Sequence, residues 1–394
     1  MPDEPKPEID FARLLGPSKL PGVGTTIFTV MSQLAQEHNA VNLGQGFPDF
    51  DCAPQLKALV TEAMQQGHNQ YEPMAGLPLL REAIAEKIVG QYGHRYDIES
   101  EITVTAGATQ AILTAVLAVV RPGDQVIILE PAYDSYGPAI QLAGGEAVPV
   151  ALSWDHGYRI DWDRVRSALT PRTRLLILNS PHNPTGSVIE QQDLRELEAI
   201  VRQQPLLLVS DEVYEHMVYD GEPHMSLARS ELLAARSFVL SSFGKTFHVT
   251  GWKVAYCCAP APLMAEFRKV HQFNVFTVNT PVQWALARFL QDPCHYLELA
   301  AFYQRKRDRF VQGLARTRFA PQACRGTYFV LADYSAISDE AEEQFARRLA
   351  VEHGVAAIPL TPFYTQPVNR NIVRFCFAKR DETLDAGLER LARV

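Results

Sequence analysis

The arrangement of apolar and polar residues changes along the chain, and its middle part alternates between two patterns. From about residue 100 to residue 260, short runs of apolar and β-branched residues separate longer stretches with helical periodicity. The runs predict strands at residues 102–105, 125–129, 175–179, 206–210, 238–241 and 253–257. Because these runs are apolar on both faces, we expect a mainly parallel sheet covered by helices, with ligands bound beyond the strand ends.

The pattern changes again beyond Pro281, where a second unit is predicted. Its expected elements, in chain order, are helices at 283–290 and 295–316, a strand at 327–332, a helix at 340–353, strands at 355–360 and 372–378, and a helix after Asp381. At the other end, the first 20 residues indicate a loose arm and residues 25–38 indicate a helix.

These patterns predict an α/β protein with two domains. We assign residues 47–289 to a large domain with a mainly parallel sheet, and residues 290–394 to a smaller α+β domain. Residues 1–46 are assigned to the N-terminal arm and to part of the small domain. A chain of 394 residues is long enough for two domains with large cores.

Charge and cysteine content restrict the class of function. The net charge is -8 and the basic residues are dispersed, which argues against nucleic acid and membrane surfaces as partners. The six cysteines form no Cys-x-x-Cys pair, so we expect reduced thiols and no metal site. The polar N-terminus lacks the apolar core of a signal peptide, and no apolar run reaches membrane-spanning length. We therefore expect a cytoplasmic protein that acts on small molecules.

Lys245 lies just after the predicted strand at 238–241, in the run SFGKTF at 242–247. A lysine held between aromatic residues and partly removed from water has a lowered pKa, and its amine can form a Schiff base with a carbonyl. The alternative is a loop lysine that extends into water. Lys245 is therefore a candidate for covalent attachment of a cofactor.

Asp211 closes the predicted strand at 206–210, and Tyr214 follows three residues later. A carboxylate that emerges from a buried strand needs a cation or several donors, and a cationic ring nitrogen would satisfy it. The alternative for Asp211 is the N-cap of a following helix. Both side chains are candidates for a site at the end of this strand.

Two loops that follow predicted strands also carry candidate residues. The sequence NSPHNPTG at 179–186 contains two prolines and a glycine, which fix the Asn183 amide in a rigid turn; a simple tight connection is the alternative. Residues 105–110 lie between a strand and a helix, where backbone N–H groups and the Thr109 hydroxyl would face a phosphate. This loop is a weak signal by itself.

Arg374 interrupts an apolar strand of the predicted small domain. An arginine at such a position needs an anion, which is either an internal carboxylate or a substrate carboxylate. Neither a dinucleotide fingerprint, a Walker loop, a Gly-x-Ser-x-Gly elbow nor a zinc-binding His-Glu-x-x-His is present.

The motifs together resemble the class I aminotransferases of fold type I, which use pyridoxal 5'-phosphate. The resemblance rests on NSPHNPTG at 179–186, SDEVY at 210–214, SFGKTF at 242–247, TGWK at 250–253 and the late Arg374, and it runs from about Pro21 to the C-terminus. VNLGQGFPD at 41–49 is similar to the branch that acts on methionine, glutamine and kynurenine. Within it, GTTIF at 24–28, SFGKT at 242–246 and GVAAIPL at 354–360 look closest to the bacterial methionine aminotransferases.

The resemblance implies roles around the cofactor ring. Lys245 would hold the cofactor as a Schiff base and move the substrate proton, and Asp211 would pair with the pyridinium nitrogen. Asn183 and Tyr214 would bond the phenolic oxygen, and Tyr133 would stack on the ring. The resemblance implies further contacts to the phosphate from Gly107, Ala108, Thr109, Ser242 and Lys253, and from Tyr71 of a partner subunit.

The resemblance also implies a substrate site and a homodimer. Arg374 would bind the substrate carboxylate together with Asn183 and the Gly46 backbone. Phe28, and Phe276 from the neighbouring subunit, would line an apolar side-chain pocket, although both could be ordinary core aromatics.

The hypothesis is an aminotransferase that moves the amino group of an L-amino acid, with methionine favoured, to a 2-oxo acid. The apolar pocket favours a thioether or aromatic side chain, and aspartate is disfavoured because no second arginine is identified. Glutamine, kynurenine and aromatic amino acids stay open as donors, and so does a carbon-sulfur β-lyase acting on cysteine S-conjugates with the same cofactor. A ligand sensor with a DNA-binding domain is disfavoured, because the N-terminal arm is too short and no basic helix is present.

Overall fold

The computed structural model describes residues 10–394, so residues 1–9 of the predicted arm lie outside the described part of the chain. The strands are β1 (Val41–Asn42), β2 (Ile102–Thr105), β3 (Gln125–Glu130), β4 (Glu146–Ala151), β5 (Thr173–Asn179), β6 (Leu207–Asp211), β7 (Ser237–Ser242), β8 (Ala255–Cys258), β9 (Ala320–Pro321), β10 (Phe329–Asp333), β11 (Val355–Ala356), β12 (Ile358–Pro359) and β13 (Ile372–Cys376).

Helices connect most of these strands. They are α1 (Phe11–Leu15), α2 (Ile27–Glu37), α3 (Pro54–Gln65), α4 (Pro78–Tyr92), α5 (Ala108–Val119), α6 (Tyr136–Leu142), α7 (Trp162–Ala168), α8 (Gln191–Gln203), α9 (Glu231–Ala234), α10 (Phe243–Thr246), α11 (Ala261–Asn274), α12 (Thr280–Phe289), α13 (Cys294–Leu297), α14 (Leu299–Leu314), α15 (Glu342–Glu352) and α16 (Asp381–Leu391). No helix among residues 10–394 is long and apolar enough to cross a membrane.

Seven strands form the large sheet, in the order β2-β8-β7-β6-β5-β3-β4. Only β8 runs antiparallel to its neighbours, so the prediction of a mainly parallel sheet is confirmed. The sequence pattern missed β4, an edge strand that contains Pro149 and leaves most of its side chains partly or fully exposed. Proline is largely confined to edge strands, where its missing N–H does not interrupt the sheet. Because β4 is also partly solvated, its sequence lacks the continuous apolar run that identifies a buried strand.

Helices cover both faces of this sheet because its strands are apolar on both sides. Val126 and Ile128 of β3 pack in the same core as α5, α6 and α11, whereas Ile127 and Leu129 face the core that contains α8. This alternation follows the two-residue period of a strand. The predicted α/β architecture is confirmed.

The second unit is built around an antiparallel sheet in the order β12-β13-β10-β9. N-terminal residues join it, because β1 pairs in parallel with β11 and α2 packs against α15. The predicted long helix at 295–316 is divided into α13 and α14. The domain boundaries at residues 46 and 289 stay a prediction, in agreement with the pairing of β1 and β11.

The carboxyl ends of three neighbouring strands place polar residues side by side. Asn179 ends β5 and is in register with Asp211, which ends β6, while Ser242 ends β7. Because these strands are parallel, their final residues meet at one edge of the sheet, and the small unit faces that edge.

Candidate active site

A cavity of about 820 Å³ lies between the carboxyl edge of the large sheet and the small unit. Most of the residues predicted from the sequence line it: Phe28, Gly46, Gly107, Ala108, Thr109, Tyr133, Asn183, Asp211, Tyr214, Ser242, Lys245, Lys253 and Arg374. They come from both units and from segments far apart in sequence. The fold therefore assembles them around a single space.

Lys245 lies on the short helix α10, which begins directly after β7. Its Nζ donates to the Tyr328 hydroxyl at 3.0 Å and to the Gly46 carbonyl oxygen at 3.3 Å, and it lies 5.5 Å from the centre of the Tyr214 ring. Burial lowers the pKa of Lys245 to about 8. A larger fraction of the amine is therefore neutral near pH 7 than for an exposed lysine, which is what a nucleophile requires.

Asp211 ends β6, and a turn rather than a helix follows it, so the N-cap alternative is wrong. The carboxylate is 4% exposed and accepts a hydrogen bond from the Tyr136 hydroxyl at 2.7 Å. Burial raises the pKa of Asp211 to about 6. A cation bound in the cavity would stabilise the charged form of this carboxylate.

Arg374 of β13 is 1% exposed and has no carboxylate partner among the described residues, so the alternative of an internal salt bridge is wrong. Its Nη1 donates to Asn183 Oδ1 at 2.7 Å and its Nη2 donates to the Gly44 carbonyl oxygen at 3.1 Å. Its Nε has no partner within the described chain. Burial lowers the pKa of Arg374 to about 10, so the group stays charged at neutral pH.

Asn183 shares the same hydrogen-bond chain. Its backbone N–H donates to Asn179 Oδ1 at 2.8 Å, which fixes the turn that the two prolines delimit. Because its Oδ1 accepts from Arg374, its Nδ2 is left to donate to an oxygen in the cavity.

The other end of the cavity is suited to an anion. Gly107 has φ +84° and precedes α5, so the first N–H groups of that helix face the cavity. A Cβ at Gly107 would lie 3.1 Å from Cε and 3.2 Å from Nζ of Lys253, so the lysine amine lies directly over this turn. Ser242 at the end of β7 and Thr109 complete this end of the cavity.

Two phenols lie between these ends. Tyr133 lines the cavity together with Thr109, and burial raises the pKa of Tyr133. Tyr214 is 4% exposed, and burial raises its pKa well above the ordinary value. Both phenols are therefore neutral hydrogen-bonding groups at neutral pH.

Tyr71 and Phe276 do not line the cavity of their own chain. Tyr71 is 81% exposed, Phe276 is 41% exposed, and their ring centres are 5.4 Å apart. They form one aromatic pair at the surface. Since the structure contains a single chain, their predicted contribution to a partner subunit stays a prediction.

Four residues that contact the predicted site residues were not predicted from the sequence. They are Asn179, Tyr136, Tyr328 and Phe329, which contact Asn183, Asp211, Lys245 and Arg374 respectively. Asn179 opens the NSPHNPTG motif and is the one that the sequence could have identified. The others act through contacts between distant segments, for which a single sequence carries no local signal.

A buried ion pair between Lys87 and Glu215 supports the turn after β6 on the side away from the cavity. Asp211 and Tyr214 face the cavity, whereas Glu215 points away and accepts a hydrogen bond from Lys87 Nζ at 2.6 Å and another from Ser241. Although burial raises the pKa of Glu215, the Lys87 ammonium and the neighbouring donors hold it well below its ordinary value. The pair ties the turn to β7 and α4.

The charges that line the cavity agree with the predicted cofactor. Lys245, Lys253 and Arg374 are its cations and Asp211 is its only carboxylate among the described residues. Such a site takes a ligand with two anionic groups and one cationic group. Pyridoxal phosphate with an amino acid substrate provides a phosphate, a carboxylate and a ring nitrogen, so the residues fit the group. No cluster of three or more histidine, cysteine, aspartate or glutamate side chains in residues 10–394 is arranged to hold a metal ion.

Asp211→Asn is expected to stabilise the cofactor-free chain in a pH-dependent way. The folded-state pKa of about 6 exceeds the ordinary value of 3.8, so the stability that Asp211 contributes is present below pH 3.8 and is lost as the pH rises through 6. A neutral asparagine avoids this loss, which reaches up to about 3 kcal/mol. In thermal unfolding, the Tm of the variant should exceed that of the wild type by a margin that grows from pH 4 to pH 7.

The control for this prediction is Asp163→Asn, since the Asp163 side chain is 95% exposed. Its Tm difference from the wild type should not widen over the same pH range. A margin for Asp211→Asn that stays constant or shrinks as the pH rises would contradict the prediction.

Comparison with known proteins identifies the family of the chain. The family described as aminotransferase class I and II matches residues 38–391. The methionine aminotransferase of Escherichia coli is 50% identical over 382 residues, which cover 97% of this chain and 99% of that protein. The kynurenine–oxoglutarate transaminase 1 of Homo sapiens is 32% identical over 417 residues, covering 97% of this chain and 99% of that protein.

Solved structures give the same result. The structure of YbdL from Escherichia coli, for which a methionine aminotransferase function was identified, superposes with a TM-score of 0.94 at 50% identity and covers 96% of this chain and 99% of that chain. The chain therefore belongs to the class I and II aminotransferases, enzymes that use pyridoxal 5'-phosphate to move an amino group between an amino acid and a 2-oxo acid.

Proposed function

We propose that this aminotransferase takes its amino group from methionine in preference to acidic amino acids. The observation that carries the proposal is the position of Arg374 among three phenyl rings. Its guanidinium carbon lies 3.9 Å from the ring centre of Phe329 and 5.3 Å from those of Phe28 and Phe363. A substrate carboxylate bound to Arg374 would therefore have its side chain beside apolar walls, which suit a thioether.

The charges of the cavity support the same preference. Arg374 is the only arginine that lines it among the described residues, and Lys245 and Lys253 have other proposed roles. A second carboxylate, such as that of aspartate, would be removed from water without a cation to pair with it. The 50% identity to a methionine aminotransferase supports the choice of methionine within the apolar amino acids.

The proposed roles at the carboxylate end follow from the hydrogen bonds. Arg374 has donors left over beyond those given to Asn183 and Gly44, and these would bind the substrate carboxylate as a planar fork. Asn183 and the backbone at Gly46 would also contact the substrate carboxylate. Holding the carboxylate here orients the Cα–H bond of the substrate towards Lys245.

The cofactor, when bound, supplies the carbonyl that accepts the amino group and a ring that withdraws electrons from the substrate Cα. Lys245 would anchor the cofactor, and once the substrate displaces it, its Nζ would carry the proton from the substrate Cα to the cofactor carbon C4'. Asp211 would keep a proton on the ring nitrogen through its negative charge. Asn183 and Tyr214 would donate hydrogen bonds to the phenolic oxygen, and Tyr133 would pack against the ring.

The phosphate would be held at the N-terminus of α5. Gly107, Ala108 and Thr109 present backbone N–H groups and a hydroxyl, and Ser242 and Lys253 add a second hydroxyl and a positive charge. The absence of a side chain at Gly107 leaves room for the Lys253 amine. This end fixes the cofactor, while the Arg374 end selects the substrate.

A panel of amino donors tests the proposed preference. We expect kcat/KM to be highest for methionine, lower for glutamine, kynurenine and phenylalanine, and lowest for aspartate, by roughly 100-fold because an unpaired buried carboxylate costs about 3 kcal/mol. Stopped-flow absorbance of the cofactor in single half-reactions measures each donor separately. Fast reaction with aspartate alone would overturn the proposal.

We also propose that the enzyme is a homodimer in which Tyr71 reaches the phosphate and Phe276 the substrate pocket of the partner subunit. The exposed pair that these two rings form supports this. Mixing Lys245→Ala subunits with Tyr71→Ala subunits tests it, because each hybrid dimer would contain one intact site. Recovery of activity is expected, and no recovery would contradict shared sites.

The proposed location is the cytoplasm. All six cysteines are free thiols and five of them are buried, as is usual for proteins in a reducing compartment. Cell fractionation with antibodies to the protein measures this directly, and its appearance in an oxidising compartment would contradict it.

A further inference from the structure

Tyr328 is a buried phenol beside the proposed catalytic lysine, in the residue that precedes β10. It is 0% exposed. Its hydroxyl lies 2.5 Å from the Gly46 carbonyl oxygen and 3.0 Å from Lys245 Nζ. These contacts join one residue of the N-terminal segment, one of helix α10 and one of the small unit.

The direction of these hydrogen bonds is fixed by their chemistry. A carbonyl oxygen has no proton, so the Tyr328 O–H donates to Gly46. The lone pairs of the phenol oxygen are then directed at the amine, which donates to them and to Gly46. The Lys245 amine is therefore held by two oxygen acceptors.

The phenol itself is held rigidly by aromatic rings. The Tyr328 ring centre lies 5.2 Å from that of Tyr214 in an edge-on arrangement, 4.8 Å from that of Phe329 and 5.7 Å from that of Tyr303. A lysine side chain has several rotatable bonds, and fixing it costs conformational entropy. A rigid acceptor reduces the number of positions that the amine samples.

We propose that Tyr328 is a positioning residue that holds the Lys245 amine, whenever it is not bonded to the cofactor, at the place from which it transfers the substrate proton. The inference rests on the proposed role of Lys245. Tyr328 itself bonds neither substrate nor cofactor. It acts by orienting the amine and by stabilising its protonated form.

Tyr328→Phe tests the inference, because it removes only the hydroxyl and keeps the packed ring. The matched control is Tyr303→Phe, since Tyr303 is also fully buried and contacts Tyr328, but its hydroxyl has no partner within residues 10–394. For Tyr328→Phe we expect the single-turnover rate with saturating methionine to fall about tenfold, the effect of one hydrogen bond to a charged group, with KM unchanged. Tyr303→Phe should leave both constants unchanged.

The second readout is the titration of Lys245 in the full-length chain prepared without cofactor. Reaction of the amine with an acylating reagent, followed by mass spectrometry of the Lys245 peptide, measures the neutral fraction against pH. Titratable groups that face this amine are Cys376, Arg374, Asp211, Lys253, Tyr214 and Tyr328. Removing the Tyr328 acceptor disfavours the ammonium, so the midpoint should move to lower pH in Tyr328→Phe and stay in place in Tyr303→Phe.

The outcomes separate this inference from the proposed function. A midpoint that does not move in Tyr328→Phe, or that moves equally in Tyr303→Phe, overturns the role of Tyr328 even if methionine is the preferred donor. A shifted midpoint specific to Tyr328→Phe supports it even if the donor panel favours another amino acid. If Tyr328→Phe lowers the single-turnover rate without changing KM and also shifts the titration midpoint of Lys245, the positioning role is established.

Discussion

Replacing Lys245 with alanine is expected to abolish amino-group transfer. The variant loses the amine that is proposed to anchor the cofactor and to act as the base at the substrate Cα, so turnover should fall on the order of 10⁴-fold or more. Single-turnover kinetics measures the loss. Borohydride reduction followed by mass spectrometry should find the cofactor bound to the Lys245 peptide of the wild type and to no peptide of the variant.

The fold should survive this change, because alanine suits the short helix α10 and removes a charge that burial disfavours. Lys269→Ala is the matched control, since the Lys269 side chain is 69% exposed on α11 and its one ion-pair partner within residues 10–394 is Glu266. It should keep wild-type turnover. A Lys245→Ala variant with wild-type rates would remove this lysine from the chemistry.

Replacing Arg374 with alanine is expected to weaken the use of amino acids while the cofactor stays bound. The variant loses a charged fork in a water-poor site, worth about 3 kcal/mol, so kcat/KM for methionine should fall roughly 100-fold. Cofactor occupancy, measured by absorbance after gel filtration, should be unchanged, because the phosphate is proposed to bind at the N-terminus of α5. Steady-state kinetics measures the first effect.

Arg374→Lys separates charge from geometry. It keeps a positive charge but loses the two parallel N–H donors, so its kcat/KM should lie between those of the wild type and Arg374→Ala. The exposed Arg309→Ala, on α14, serves as the control for a general effect of losing an arginine. If kcat and KM in Arg374→Ala match the wild type, the substrate carboxylate binds elsewhere.

The proposed preference for methionine and the proposed positioning role of Tyr328 depend on neighbouring residues of one segment. Phe329 supports the Arg374 guanidinium, and the preceding residue Tyr328 holds the Lys245 amine. Successive residues of this segment thus contact Arg374, the proposed binder of the substrate carboxylate, and Lys245, the proposed proton carrier. A small shift of β10 would therefore change binding and catalysis together.

Much of the architecture could be predicted because it depends on local patterns. Strands β2, β3, β5, β6 and β7 are apolar on both faces, and this pattern identified them to within a few residues. The edge strand β4 was missed, since its partly solvated, proline-containing sequence lacks that pattern. The order of the strands in the sheet was not predicted, because it depends on contacts between segments that the local pattern does not contain.

The sequence by itself identified the side chains that are proposed to carry the chemistry. Lys245, Asp211, Asn183 and Arg374 stand in motifs whose spacing reflects strand ends and rigid turns, and such features are encoded over a few residues. Only the tertiary structure decided what surrounds them. Tyr328 is 83 residues from Lys245, and Arg374 is 191 residues from Asn183, so these contacts arise from the packing of the small unit against the sheet edge. Burial lowers the pKa of Lys245 and raises that of Asp211, because the surrounding side chains exclude water from both groups.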